Sequence, residues 1–96
     1  MREYEVTIII TPELEDSARD TLIERVAGWL TAGDEGEKPN INHWGQRSLA
    51  YPIRDKRDGY YIRYEAKMEP QRMHEVERDI LYEEDILRHL VVRKDD

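Results

Sequence analysis

Two stretches of the chain alternate between hydrophobic and polar residues. The hydrophobic positions of the first stretch, residues 3–10, are Tyr4, Val6, Ile8 and Ile10, with only Ile9 out of pattern. Residues 60–68 alternate in the same way from Tyr60 to Met68. An alternation of period two is typical of a strand with one buried face, because successive side chains point to opposite sides. We therefore predict a first strand over residues 3–10 and a third, central strand over residues 60–68.

Elsewhere, hydrophobic residues recur every three or four positions, which is typical of amphipathic helices. Thr11 and Pro12 indicate the start of the first helix, because threonine caps free N–H groups and proline is tolerated at a first helical position. We predict that this helix extends to about residue 31 and that Gly33 ends it. The second helix is predicted to open at Glu69-Pro70. Its predicted buried positions are Met73, Val76, Ile80 and Leu81.

Two further strands complete the predicted elements. The second strand is polar and contains Ile41, Trp44 and Leu49, and its imperfect alternation around Gly45 indicates a bulge or an edge position. Residues 55–59 are the predicted hairpin connection, and residues 87–93 the final strand. The order β-α-β-β-α-β predicts an α+β fold of the ferredoxin-like, split βαβ kind. Its four-stranded antiparallel sheet has the order 4-1-3-2, with two helices on one face and the other face open to a partner.

Composition limits the class of protein. The length of 96 residues predicts a single small domain over residues 1–96, with little room for an enclosed catalytic cavity. Cysteine is absent, which excludes disulfides and thiolate chemistry. No apolar run approaches the ~20 residues that cross a bilayer, and the N-terminus lacks a signal-peptide pattern. We expect a soluble, cytoplasmic protein.

Charge is distributed unevenly along the chain. The formal net charge is -7. Residues 13–37 and 69–85, essentially the predicted helical segments, hold 15 acidic and 4 basic residues, a net of -11, so the remaining residues carry a net of +4. Phosphate contacts dominate nucleic-acid affinity, so this distribution matters more than the sum. The densest basic run is Arg47, Arg54, Lys56 and Arg57.

Catalytic, metal and cofactor sites are not predicted. His43, His74 and His89 lie on different predicted elements without a second ligand at metal-binding spacing. Acidic pairs at helix ends are typical of surface charge, and no phosphate-binding glycine loop or nucleophile motif is present. We therefore predict no enzyme activity, no metal and no cofactor.

Aromatic residues leave more than one interpretation open. RNA-recognition motifs share this topology, but Tyr60 and Tyr61 are adjacent and must point to opposite faces, which favours core packing for Tyr60 and exposure for Tyr61. Trp44 either anchors a partner or lies at the core margin. The basic run either contacts RNA or protects a sheet edge from self-pairing.

Three segments resemble the bacterial small-subunit ribosomal protein six family, and the resemblance covers essentially the whole chain. They are Met1-Arg2-x-Tyr4-Glu5, Trp44-Gly45-x-Arg47-x-Leu49-Ala50-Tyr51-Pro52-Ile53 and Leu87-Arg88-His89-Leu90-Val91-Val92. The middle segment is quite specific. Two features depart from the family pattern: Gln46 replaces a residue that is often basic, and the sequence ends soon after the last strand.

The resemblance implies a structural, non-enzymatic protein of the small ribosomal subunit. It further implies binding to the central domain of 16S rRNA as a heterodimer with ribosomal protein S-eighteen. The residues expected to bind rRNA are Arg2, Arg47, Arg54, Lys56, Arg88 and His89. The residues expected to bind the protein partner are Asn42, His43, Trp44, Gln46 and Arg47.

Two other function classes share this topology. The alternative is a ferredoxin-like protein-interaction or regulatory module without RNA binding. A small phosphatase-like enzyme is a more distant third, and the lack of a phosphate-binding glycine loop counts against it. Co-sedimentation with ribosomal subunits distinguishes the first two.

Overall fold

The computed structural model describes residues 2–31 and 37–94. The elements in chain order are β1 (Arg2–Ile10), α1 (Asp16–Trp29), β2 (Asn40–Ile53), β3 (Lys56–Met68), α2 (Pro70–Leu81) and β4 (Ile86–Arg93). The strands form one antiparallel sheet in the order β2-β3-β1-β4. This is the predicted order read from the other edge, and the predicted ferredoxin-like fold is confirmed. The central position of the third strand is also confirmed.

The core lies between one face of the sheet and both helices. Strands β1 and β3 contribute alternate residues to it, because the register places Val6 opposite Tyr64 and Ile8 opposite Ile62, all fully buried. The buried helix residues are Leu22, Ile23, Val26 and Ala27 of α1 and Met73, Val76 and Ile80 of α2. The Tyr64 hydroxyl donates a hydrogen bond to the Ile23 carbonyl at 2.9 Å, which ties α1 to the centre of the sheet.

The predicted start of α1 is wrong. The helix begins at Asp16, with Glu15 as its N-cap residue, and ends at Trp29. Thr11 is buried, and its N–H donates to the Asp85 carbonyl at 2.9 Å, so it joins the α2–β4 connection instead of capping the helix. Gly33, the predicted end of this helix, lies outside the described residues.

Two smaller boundaries also differ from prediction. Leu81 is 69% exposed, because it is the last residue of α2 and follows Ile80 by about 100° around the helix. The hairpin connection is Arg54-Asp55 and not residues 55–59, since β3 already begins at Lys56. Both turn residues have positive φ, 51° and 65°, as a two-residue hairpin turn of type I′ requires.

Irregular pairing shapes the edge strand β2. Its register with β3 shifts between His43 and Gly45, and Gly45 has a φ of 85°, which confirms the predicted bulge at an edge position. A second shift lies between Ser48 and Ile53, where residues 49–52 lie opposite a single residue of β3. The surplus length brings this segment alongside Ile9 of β1, which is two strands away.

Candidate nucleic-acid interface

The sheet surface turned away from the helices is here called the open face. The pairing register assigns to it Glu3, Glu5, Thr7 and Ile9 of β1, Tyr61, Arg63, Glu65 and Lys67 of β3, Arg88, Leu90 and Val92 of β4, and Asn42 and Arg47 of β2. Leu90, at 60%, and Val92 are the exposed large hydrophobic residues of β4. Apart from the end of β2, which lies alongside Ile9, no described element covers this surface, so most of it is available to a partner.

Ion pairs neutralise one end of the open face. Lys94 Nζ lies 3.5 Å from Glu65 Oε1 and 3.6 Å from Glu5 Oε2. Arg63 Nη2 lies 2.9 Å from Glu65 Oε1. The pKa of Glu65 is lowered, first by the charge of Lys94 and then by its hydrogen bond and by Arg63. Balanced charge of this kind offers little net attraction for phosphate.

Aromatic rings and guanidinium groups occupy the other end. Trp44, at the bulge of β2, is 42% exposed and stacks on Tyr61, with ring centroids 6.4 Å apart and planes 14° apart. The guanidinium carbons of Arg47 and Arg63 lie 5.6 and 5.8 Å from the Trp44 ring centroid. Such distances are typical of cation–π contacts. Trp44 therefore lies on the open face and not among the core residues.

Arg88 is held by Tyr51 beside this aromatic group. Its Nη1 donates to the Tyr51 hydroxyl at 2.5 Å, and its guanidinium carbon lies 5.8 Å from the Tyr51 ring centroid. The hydrogen bond that this hydroxyl accepts is the main cause of a raised pKa for Arg88. The described side-chain partner of Arg88 is thus a phenol and not a carboxylate.

The structure brings together only some of the residues expected to bind rRNA. Arg47 and Arg88 both lie on the open face. Arg54 Nη1 donates to the Glu84 carbonyl at 2.8 Å, and Lys56 forms an ion pair with Glu13. Both contacts fasten the hairpin turn to the connections that precede α1 and follow α2.

The other two expected rRNA residues lie elsewhere. His89 points to the helical side of the sheet, where its Nε2 is 3.2 Å from Glu77 Oε2 of α2. Arg2 lies at the start of β1, whereas Arg88 lies opposite Ile9 near the strand's end. That separation is about 24 Å along the strand, so the two arginines cannot contact the same phosphate.

The residues expected to bind the protein partner are all exposed on edge strand β2. Asn42, Trp44 and Arg47 lie on the open face. His43 and Gln46 lie opposite Ile62 and Tyr60, on the helical side. The bulge therefore divides the predicted set between both sides of one sheet edge.

The sequence predicted no binding role for three residues that lie beside Trp44 or Arg88: Tyr51, Arg63 and Leu90. The alternation of β3 already assigns Arg63 to the same side as Tyr61, so parity could have identified it. Tyr51 carries no such local signal, since it reaches Arg88 through the irregular pairing at the end of β2. Within residues 2–31 and 37–94, no three His, Asp or Glu side chains converge as a metal site would require.

The fold and this surface define a class of protein: a ferredoxin-like α+β protein whose open sheet face presents aromatic and cationic side chains. Neither described helix has the length and apolar character needed to cross a bilayer.

Comparison with known proteins supplies the family. The profile of the family described as "Ribosomal protein S6" matches residues 3–93. The chain is 39% identical over 95 residues to the small ribosomal subunit protein bS6 of Desulforudis audaxviator, covering 99% of this chain and 100% of the relative. The crystal structure of 30S ribosomal protein S6 from Thermotoga maritima aligns with a TM-score of 0.88 and 27% identity, covering 97% of this chain and 87% of that one.

The chain belongs to the ribosomal protein S6 family. The family indicated by the sequence resemblance is thus confirmed. Its members are proteins of the small ribosomal subunit, located on cytoplasmic ribosomes, and the family is a structural family and not an enzyme family.

Proposed function

We propose that this chain is a non-enzymatic constituent of the small ribosomal subunit that binds the central domain of 16S rRNA as a heterodimer with ribosomal protein S-eighteen. The observation that supports this most directly is the uneven distribution of charge. Arg47 and Arg88 lie on the open face without a carboxylate in their described contacts. Residues 13–37 and 69–85, which include both helices, carry a net charge of -11.

The distribution of charge then determines how the chain binds RNA. Phosphate is repelled by the acidic segments 13–37 and 69–85 and attracted only where cations outnumber carboxylates. Because the whole chain has a net charge of -7, a basic partner has to supply positive charge that this chain lacks. Complementary charge also orients the two proteins during their encounter.

The contact residues follow from the same reasoning. Arg47 and Arg88 are the first candidates for rRNA contact, because both lie on the open face and neither has a carboxylate among its described contacts. Lys56 joins them only by exchanging Glu13 for phosphate. Arg54 is ranked after Arg47 and Arg88 because it lines a recess that also contains Glu13, Glu84 and Asp85. The exposed edge of β2, with Trp44 at its bulge, is the proposed site for the protein partner. We assign residues 1–96 to a single domain with these two surfaces.

Affinity for a central-domain fragment of 16S rRNA tests the proposal. We expect weak binding by this chain alone and a gain of at least about tenfold over either protein when S-eighteen is added, because the net charge of the isolated chain opposes phosphate. The control is S-eighteen alone at the same salt concentration. Equally tight binding by the isolated chain contradicts the shared role. Heterodimer formation without RNA binding favours the protein-interaction module instead.

A further inference from the structure

Two adjoining recesses lie on the aromatic end of the open face. The larger has a volume of about 300 Å³ and is lined by Thr7, Ile9, Tyr61, Arg88, His89 and Leu90. The smaller has a volume of about 130 Å³ and lies against the segment 49–53. Ile9, Tyr61 and Arg88 line both of them. Arg88 therefore lies at the boundary between the two recesses.

The walls of these two recesses combine apolar surfaces with one cation, Arg88. Tyr61 offers a ring, and Ile9 and Leu90 offer aliphatic surface, while no carboxylate lines either recess. Two other recesses of the described residues differ sharply. One is lined by Glu3, Glu37 and Glu65 together with Lys38, Lys67 and Lys94. The other is lined by Glu13, Glu84 and Asp85 together with Arg54 and Lys56. In both of them carboxylates offset the cations, whereas the cation of the Arg88 recess has no carboxylate beside it in the lining.

Tyr51 fixes the orientation of the cation. Its hydroxyl accepts one hydrogen bond from Arg88 and its ring lies beside the guanidinium carbon. A guanidinium has five N–H donors in a rigid plane. The donors that Tyr51 does not use remain able to bond an acceptor in the recess or on its rim.

We propose that this recess binds one unstacked nucleobase of the RNA, packed between Tyr61 and Leu90, with Arg88 donating both to the base and to its flanking phosphate. The proposal rests on the proposed function and adds a base contact to it. A base brings a flat π-surface for the aromatic and aliphatic walls together with an anionic backbone for the cation. An apolar protein segment would fill the recess but leave the N–H donors of Arg88 that Tyr51 does not use without an acceptor, which makes it the less favourable occupant.

The substitution Arg88→Lys separates a base contact from a phosphate contact. Lysine keeps the positive charge but lacks the planar, multiply donating group that Tyr51 orients. We expect the heterodimer with this substitution to lose about tenfold in affinity for the central-domain fragment, with the slope of log affinity against log salt unchanged. Tyr51→Phe, which keeps the ring and removes the hydroxyl, is expected to lose about threefold. Arg72→Lys on α2 is the matched control, with unchanged affinity.

Chemical probing of the bound fragment gives the second readout. With the unsubstituted heterodimer and with Arg72→Lys, we expect at least one base to be protected from dimethyl sulfate or carbodiimide. Arg88→Lys should restore its reactivity. Circular dichroism verifies that the variants are folded.

The outcomes that overturn the proposal are distinct. If Arg88→Lys binds RNA as tightly as the unsubstituted protein, Arg88 meets phosphate alone and the base site is wrong, while the proposed function stands. If the same substitution weakens S-eighteen binding in the absence of RNA, the recess belongs to the protein partner. Absence of RNA binding by the unsubstituted heterodimer overturns both the proposed function and the base site.

Discussion

At the scale of single residues, Tyr64 joins the sheet to a helix from inside the core. It is fully buried, and its hydroxyl donates to the Ile23 carbonyl at 2.9 Å. Tyr64→Phe keeps the ring and removes this hydrogen bond, so we expect the free energy of unfolding to fall by about 1 kcal/mol. Urea denaturation measures the change. Tyr82→Phe is the control, because Tyr82 is 78% exposed, and an equal loss in both variants would contradict a specific role for the buried hydroxyl.

The same residue makes stability depend on alkaline pH. Burial, and secondarily the charge of Glu24, raises the pKa of Tyr64 above its ordinary value. The unfolded chain releases this proton near about pH 10, whereas the folded protein retains it. The contribution of Tyr64 is therefore complete below that pH and is lost as the pH rises further. We expect the free energy of unfolding to fall more steeply between about pH 10 and 11.5 in the unsubstituted protein than in Tyr64→Phe.

Trp44 is the residue on which partner binding is expected to depend most. It is a large aromatic group at the bulge of an edge strand and is exposed in the free chain. Exposed aromatic residues of this kind are frequent interface hot spots, so we expect Trp44→Ala to weaken heterodimer formation by about 2 kcal/mol. Titration calorimetry with S-eighteen measures the loss, and Tyr82→Ala on the helical side is the control. Unchanged affinity with an intact fold would exclude Trp44 as the anchor.

At the scale of secondary-structure elements, two glycines respond to alanine in opposite directions. A Cβ at Gly59 of β3 would lie 2.3 Å from Cγ2 of Ile9, whereas one at Gly28 of α1 would meet nothing within 4 Å. The clash at the sheet is expected to cost about 1–3 kcal/mol. Gly28→Ala should stabilise the helix by about 0.5 kcal/mol.

Thermal unfolding of both glycine variants checks this expectation. The two substitutions add the same methyl group, so composition cannot explain a difference between them. A stable Gly59→Ala would mean that β1 and β3 adjust without cost, and that close approach of Ile9 does not require glycine.

The elements predicted correctly are those with a strong local pattern. Alternation in β1 and β3 identified both strands and their buried sides, because each has one face on the core. The start of α1 was missed because Thr11 forms a bond to Asp85, far along the chain. The hairpin was misplaced because Arg54-Asp55 contains neither glycine nor asparagine, the usual residues at positive φ.

In the candidate site too, only the residues with a local signal in the sequence could be predicted. Arg47 and Arg88 could be selected from the sequence by their charge and by the family motifs. The pair of Tyr51 with Arg88 could not, since it joins positions 37 residues apart. It depends on the surplus residues between Ser48 and Ile53, and no periodicity predicts where such an irregular segment lies.

At the scale of the whole molecule, the position of charge matters more than its amount. Two pairs of arginines allow this to be tested with two variants that have the same net charge. Arg47 and Arg88 lie on the open face, and Arg72 and Arg78 lie exposed on α2. Changing either pair to glutamate alters the net charge of the chain equally. A difference in RNA affinity between the two variants therefore shows that the position of the charge matters.

We expect the open-face pair to weaken RNA binding by the heterodimer strongly and to reduce the slope of log affinity against log salt by about two, roughly one for each lost phosphate contact. The helix pair should leave that slope nearly unchanged, because the segment 69–85, which contains α2, holds seven acidic and two basic residues and so repels phosphate already. Exposed charge changes shift stability by only about 0.5 kcal/mol, so both double variants should stay folded by circular dichroism. Equal losses in the two variants would mean that RNA senses only net charge. A larger loss in the helix pair would place the rRNA on the helical side of the sheet.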